Sequence, residues 1–212
     1  TIVPSGTTYT WTVVDNPDVS GDVDQPNTQT SISQNLINLT NTVQTVVYTV
    51  TPASGAAGNC VGSPFTLTVT VNPTPIIANV IPSSICSGNL FTVNPINGGG
   101  TSSSDIVPTG TTYSWSAPTV TGGITGGVAG TSQSTIFGTL TNPTNLVQTA
   151  TYTVIPTSGT TGSCVGSSFT VTVTVNPKPV ISNFTSVLPN CCNAFSKVFF
   201  TSLARDLESF KL

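Results

Sequence analysis

The sequence predicts an all-β protein made of tandem Greek-key β-sandwiches, the first of which lacks its N-terminal strands. Composition, a tandem duplication and period-two alternation carry that expectation. Of the 212 residues, 40 are Thr and 26 are Val, β-branched types that suit a pleated backbone. Turns come from 19 Gly and 16 Pro. Charged residues make up 5%, against about 25% in ordinary globular domains. The wealth of Thr and Val argues against disorder, because disordered chains are poor in β-branched residues.

The duplication fixes the domain organisation. Val3-Pro4-Ser5-Gly6-Thr7-Thr8-Tyr9-Thr10-Trp11 returns as Val107-Pro108-Thr109-Gly110-Thr111-Thr112-Tyr113-Ser114-Trp115, an offset of 104 residues. The run from Tyr48 to Asn72-Pro73 returns at the same offset as Tyr152 to Asn176-Pro177. Residues 1–80 match 105–184 at 39 of 80 positions without a net gap. A unit of that length suits one sandwich and can bury a core. With units opening after each Asn-Pro pair, residues 1–73 are an incomplete repeat and 74–177 a complete one. Residues 178–212 are the start of a divergent third repeat or a donor-strand-like tail. Proline fixes φ and restricts the residue before it, so the linkers at Asn72–Pro75 and Asn176–Pro179 are expected to be stiff.

Strand by strand, the clearest signal is Phe65-Thr66-Leu67-Thr68-Val69-Thr70-Val71 and its copy Phe169–Val175. Alternation sends Phe65, Leu67, Val69 and Val71 to a core and the threonines to water. Tyr9–Val13, Tyr48–Thr51, their copies and Leu90–Val93 also read as strands, with no helical stripe before the tail. Trp11 and Trp115, each two residues after a Tyr, read as the single large core ring of a sandwich. The threonine faces read as polar strand surface rather than as a lattice-binding array.

Five cysteines stand at positions 60, 86, 164, 191 and 192. Cys60 and Cys164 are repeat equivalents, and Cys86 opens the second unit, which suggests a Cys86–Cys164 bridge. Cys60–Cys86 is the alternative pairing. Cys60 then needs another partner, and Cys191 or Cys192 of a neighbouring copy is the candidate. Four thiolates without a CxxC pair make a poor zinc site.

The elements Ile85-Cys86-Ser87-Gly88, Gly110–Trp115, Thr151-Tyr152-Thr153-Val154 and Cys164-Val165-Gly166 through Asn176-Pro177 resemble PKD-like repeat domains. Such domains are immunoglobulin-type sandwiches strung in tandem in large surface adhesins of gliding bacteria, exported by the type IX system. The resemblance implies extracellular adhesion or fibre building and brings no catalytic residues with it. Near residue 185 the pattern breaks, with Asn190-Cys191-Cys192-Asn193 in place of the Cys-Ser-Gly turn. No signal peptide or export domain is evident, so the chain is expected to be an excised or processed piece of a longer polypeptide.

Composition also excludes function classes. With no His there is no Ser/His/Asp or Cys/His arrangement, and no enzymatic activity is expected. Four Lys/Arg in a chain of net charge -3 lack the basic footprint of nucleic-acid binding. No 18-residue apolar run calls for membrane insertion. Asp15, Asp18, Asp22 and Asp24 form the one acidic cluster, a candidate Ca²⁺ loop. It would serve a surface-glycan-binding module, the alternative to a structural role. Asn38-Leu39-Thr40 and Asn183-Phe184-Thr185 fit the glycan-acceptor pattern.

The tail carries all four positive charges, so residues 1–177 have net charge -5 and residues 178–212 net +2. Phe195, Phe199, Phe200, Leu203, Leu207 and Phe210 make it apolar as well. An incomplete sandwich exposes a groove and unpaired edges. The tail of one copy is therefore expected to fill the groove of the next by strand addition, with the opposite charges orienting the encounter. The expected partners are copies of the chain or neighbouring repeats of the same protein.

Overall fold

The computed structural model describes residues 2–55, 59–99, 102–159 and 162–180. Fourteen strands and no helix occur among them, so the all-β prediction holds. Cys191, Cys192, Asn183 and the apolar tail residues from Phe195 to Phe210 lie outside the described residues.

The first repeat forms β1 (Thr8–Val13), β2 (Val19–Ser20), β3 (Gln25–Gln29), β4 (Ile37–Asn38), β5 (Gln44–Ala53) and β6 (Phe65–Val71). One sheet has the order β3-β1-β5-β6, and β2 pairs with β4 in a second, two-stranded sheet. Tyr9, Trp11 and Val13 cross from Pro52, Val50 and Tyr48 in antiparallel register. That register stacks the inward residues of β1 on those of β5, and Trp11, Val19, Val46, Tyr48, Val50 and Val71 are the buried core.

The second repeat adds strands at its start. They are β7 (Ile85–Cys86), β8 (Leu90–Val93), β9 (Thr112–Trp115), β10 (Thr119–Val120), β11 (Gly130–Gln133), β12 (Ile136–Thr139), β13 (Gln148–Thr157) and β14 (Phe169–Asn176). The main sheet runs β11-β9-β13-β14-β7, with β10 also on β13, and β8 pairs with β12 in the facing layer. Phe91 and Val93 of β8 and Ile136 of β12 close over Tyr113, Trp115, Tyr152, Val154, Val171, Val173 and Val175 of the main sheet.

Two details were hidden in the ungapped repeat comparison. Trp11 faces Gln25 across β1–β3, whereas Trp115 faces Gly130 across β9–β11, an offset of 105. The offset returns to 104 at Gln29 and Gln133. Gly130 is required there, since a Cβ would stand 2.3 Å from the Trp115 ring. The linker is also packed, because Pro73 and Pro75 are fully buried. A Cβ on Gly166 would stand 2.2 Å from the Pro75 carbonyl oxygen.

Candidate assembly surface

The two repeats share their strands but not their burial. In the second sandwich the outer edge of β14 is covered twice. Val80 accepts from Thr172 N (3.0 Å) and donates to Thr170 O (2.8 Å), and farther along β7 pairs in parallel, Ile85 with Val175 and Cys86 with Asn176. Thr170 N also donates to Asn79 Oδ1 at 2.8 Å. On the first sandwich no described residue does this, and β6 is the edge of its sheet. Backbone groups on a free edge are a template for another strand.

Side chains follow the backbone. Phe169 is 2% exposed and Phe65 is 43% exposed. Val171, Val173 and Ile136 are sealed, whereas their counterparts Leu67, Val69 and Ile32 are only partly buried. Leu36 is likewise partly buried, where Leu140 is fully so. Ile32, Leu36, Leu67 and Val69 form the half-buried margin of the first core, with Phe65 exposed beside them on the edge strand β6. In the second sandwich its counterpart holds Ile77, Val80, Ile85, Phe91 and Val93. Burying one such side chain fully contributes about 1.5–3 kcal/mol, so the half-buried margin leaves part of that stabilisation unused in the first sandwich.

One pair of positions shows how each sandwich adapts. Phe91 packs against Tyr152 at a tilt of 46° with ring centroids 5.4 Å apart, and Gly138 makes room, since a Cβ there would stand 3.0 Å from the Phe91 ring. The Tyr152 hydroxyl is buried without a hydrogen-bond partner among the described residues. Burial pushes its pKa, like that of Tyr113, up to about 12. In the first repeat Gln34 stands where Gly138 does; its Oε1 accepts from the Tyr48 hydroxyl (2.6 Å) and its Nε2 donates to Val23 O (2.6 Å). Gln34 thus uses space that Phe91 takes in the second sandwich.

The predicted sites fare differently. Asp22 is buried and its Oδ2 accepts from Asn16 N (2.8 Å), while Asp24 Oδ1 accepts from Val13 N (2.8 Å). Asp15 and Asp18 are exposed. Among the described residues no group of three or more His, Cys, Asp or Glu side chains is gathered to hold a metal ion. Two carboxylates of the acidic run brace backbone N–H groups instead. Trp11, Trp115, Tyr48, Tyr113 and Tyr152 are all buried, and the indoles donate to Val23 O (3.2 Å) and Val128 O (3.0 Å). They form no aromatic platform for a sugar ring.

Asn38 is no glycan acceptor in this fold. It is 5% exposed, and its Nδ2 donates to Thr42 O (2.7 Å) and Val71 O (2.8 Å). Asn142 repeats the arrangement with Leu146 O (2.7 Å) and Val175 O (3.0 Å). Each Asn also accepts at Oδ1 from the Thr two residues on. The pair pins the facing layer to the last strand of its sandwich. Sequence offered the clue, because the copy reads Asn142-Pro143-Thr144 and proline at the middle position bars glycosylation.

Cysteine pairing is corrected too. Cys60, Cys86 and Cys164 are free thiols. Cys86 lies beside Asn176, the last residue of β14, while Cys164 precedes the first, Phe169. Eight residues of strand span about 26 Å, and disulfide Cα atoms must lie within about 7 Å. Opposite ends of one sandwich cannot be joined.

The alternation, the paired sheets and the duplicated core agree with comparison to known families. A model of the PKD-like domain matches residues 1–75 and 83–179. No curated protein matches the chain. PKD-like domains are typically non-catalytic β-sandwich modules of extracellular proteins, of structural or adhesive type. Among the described residues no helix is long and apolar enough to cross a membrane. With the family model spanning well over half of its length, the chain belongs to the PKD-like domain family.

Proposed function

We propose that this chain is a structural and adhesive module of an extracellular bacterial fibre or surface adhesin, and that copies join head to tail when the segment after Pro177 lies in the groove of another copy's first sandwich. The observation that carries the reading is the contrast between the covered edge of β14 and the open edge of β6. Repeat register supports the choice of occupant. Ile181, Phe184 and Phe195 stand 104 residues after Ile77, Val80 and Phe91, the residues that close the second sandwich. Two positions depart from the pattern, Pro189 for Ile85 and Lys197 for Val93. The net charges of -5 and +2 on body and tail favour the same pairing. A contact between different faces that does not close on itself propagates as a filament.

Sedimentation and negative-stain imaging of the full chain test the proposal. Rods that lengthen with protein concentration, and that are capped by excess synthetic peptide spanning residues 178–200, are expected. A monomer at all concentrations, indifferent to the peptide, would refute it.

A further inference from the structure

We infer that the cysteines cross-link consecutive sandwiches across their junctions, and that Cys86 of one copy bonds Cys60 of a second copy; the inference rests on the head-to-tail reading above. The junction between the two sandwiches supplies the geometry. Asn72, at the trailing end of the first sandwich, lies against the loop between β13 and β14: a Cβ on Gly162 would stand 2.5 Å from its Nδ2. Gly166 of the same loop abuts the Pro75 carbonyl. Cys164 lies between these two glycines, so the late cysteine of a sandwich faces the trailing end of the one before it.

The trailing end of the second sandwich has its own cysteine. Cys86 is registered beside Asn176, the repeat counterpart of Asn72. A first sandwich that docks on that end as the second docks on the first presents Cys60, the counterpart of Cys164, to Cys86. Cys60 and Cys86 are both exposed, which suits a bond between copies. Repeat register also puts Cys191 and Cys192 next to the position equivalent to Cys86, so in a tail docked on a neighbouring copy one of them would face that copy's Cys164 at the junction between its own two sandwiches. The reaction is an ordinary thiol oxidation: two thiols lose two protons and two electrons, one S–S bond forms, and a disulfide oxidant such as glutathione disulfide is reduced to two thiols.

The test uses the full chain with Cys164, Cys191 and Cys192 changed to Ser, so that only Cys60 and Cys86 remain. Oxidation with glutathione disulfide is followed by non-reducing electrophoresis and peptide mass mapping, with isotope-labelled and unlabelled copies mixed. A ladder is expected, with a Cys60–Cys86 peptide pair of mixed label. Adding C60S or C86S to this background should lower the ladder at least tenfold, and mixing those two variants should restore a dimer and nothing longer. Thiols that stay alkylatable in protein that still forms filaments under reductant overturn the cross-link and leave head-to-tail assembly standing. A protein that is monomeric both reduced and oxidised overturns both, and a ladder with no Cys60–Cys86 peptide overturns the pairing.

Discussion

β6 and β14 have nearly the same sequence, Phe65-Thr-Leu-Thr-Val-Thr-Val71 against Phe169-Thr-Val-Thr-Val-Thr-Val175, yet they sit in different surroundings. Every apolar residue of β14 is buried, while Phe65 is exposed and Leu67 and Val69 are half-buried. Alternation decides which face of a strand turns inward, but a second layer and a neighbouring strand decide whether that face is dry. Val80, β7 and β8 do this for the second sandwich, and no described residue does it for the first.

The largest effect should come from truncating the same ring in both copies. Phe169→Ala empties a packed site and is expected to cost about 3–5 kcal/mol. Phe65→Ala removes a side chain that is largely in water and should cost less than about 1 kcal/mol. Denaturant unfolding followed through Trp115 in a Trp11→Phe background, and through Trp11 in a Trp115→Phe background, separates the two sandwiches. Equal losses would erase the distinction between them.

The asparagine pins should behave alike despite that distinction, because both donate to the last strand of their own sandwich. Asn38→Ala and Asn142→Ala are each expected to cost about 1–3 kcal/mol, since each takes the amide donor from one buried carbonyl, Val71 O or Val175 O. The two losses should match, because the further bond of Asn142 to Ser87 Oγ (2.9 Å) comes from its backbone N–H, which alanine keeps. Denaturant unfolding reads those losses, while enzymatic glycan transfer to Asn38 in the folded protein should fail, as mass spectrometry will show.

Gln34 gives a smaller and sharper handle on the groove. Gln34→Gly removes the Tyr48 hydrogen bond and recreates the space that Gly138 gives to Phe91. Roughly threefold to tenfold tighter binding of the 178–200 peptide is expected, about 0.7–1.4 kcal/mol, by titration calorimetry. Weaker binding would mean that the occupant does not place a ring there.

The smallest effect concerns alkali. Tyr113 and Tyr152 titrate at about 12 in the folded second sandwich because burial disfavours the phenolate, against about 10 when unfolded. Between those values the unfolded chain has released protons that the folded chain retains. Stability is thus fully present below pH 10 and is lost as pH rises toward 12. Tyr48 is also raised, by burial and then by the nearby Asp22 charge, while no second buried tyrosine of that kind supports the first sandwich. Unfolding midpoints across pH 9–12 should fall more steeply for the Trp115 signal than for the Trp11 signal.

The amino-acid order alone determined the long strands, the duplication and the inward faces, since alternation and repetition are local or one-dimensional properties. It misjudged what depends on neighbours distant in sequence. Asn38-Leu39-Thr40 fits an acceptor pattern as a string of letters, but in the fold its amide donates to Val71 O. The acidic run suggests a solvated loop or a cation loop by composition, and only the fold shows that Asp22 and Asp24 accept from Asn16 N and Val13 N. Cys86 and Cys164 read as partners because each repeat owned an early and a late cysteine, but strand direction sends the two to opposite ends. Only the fold could settle these points, because the burial, pairing and separation of a side chain are set by whichever strands lie beside it in space.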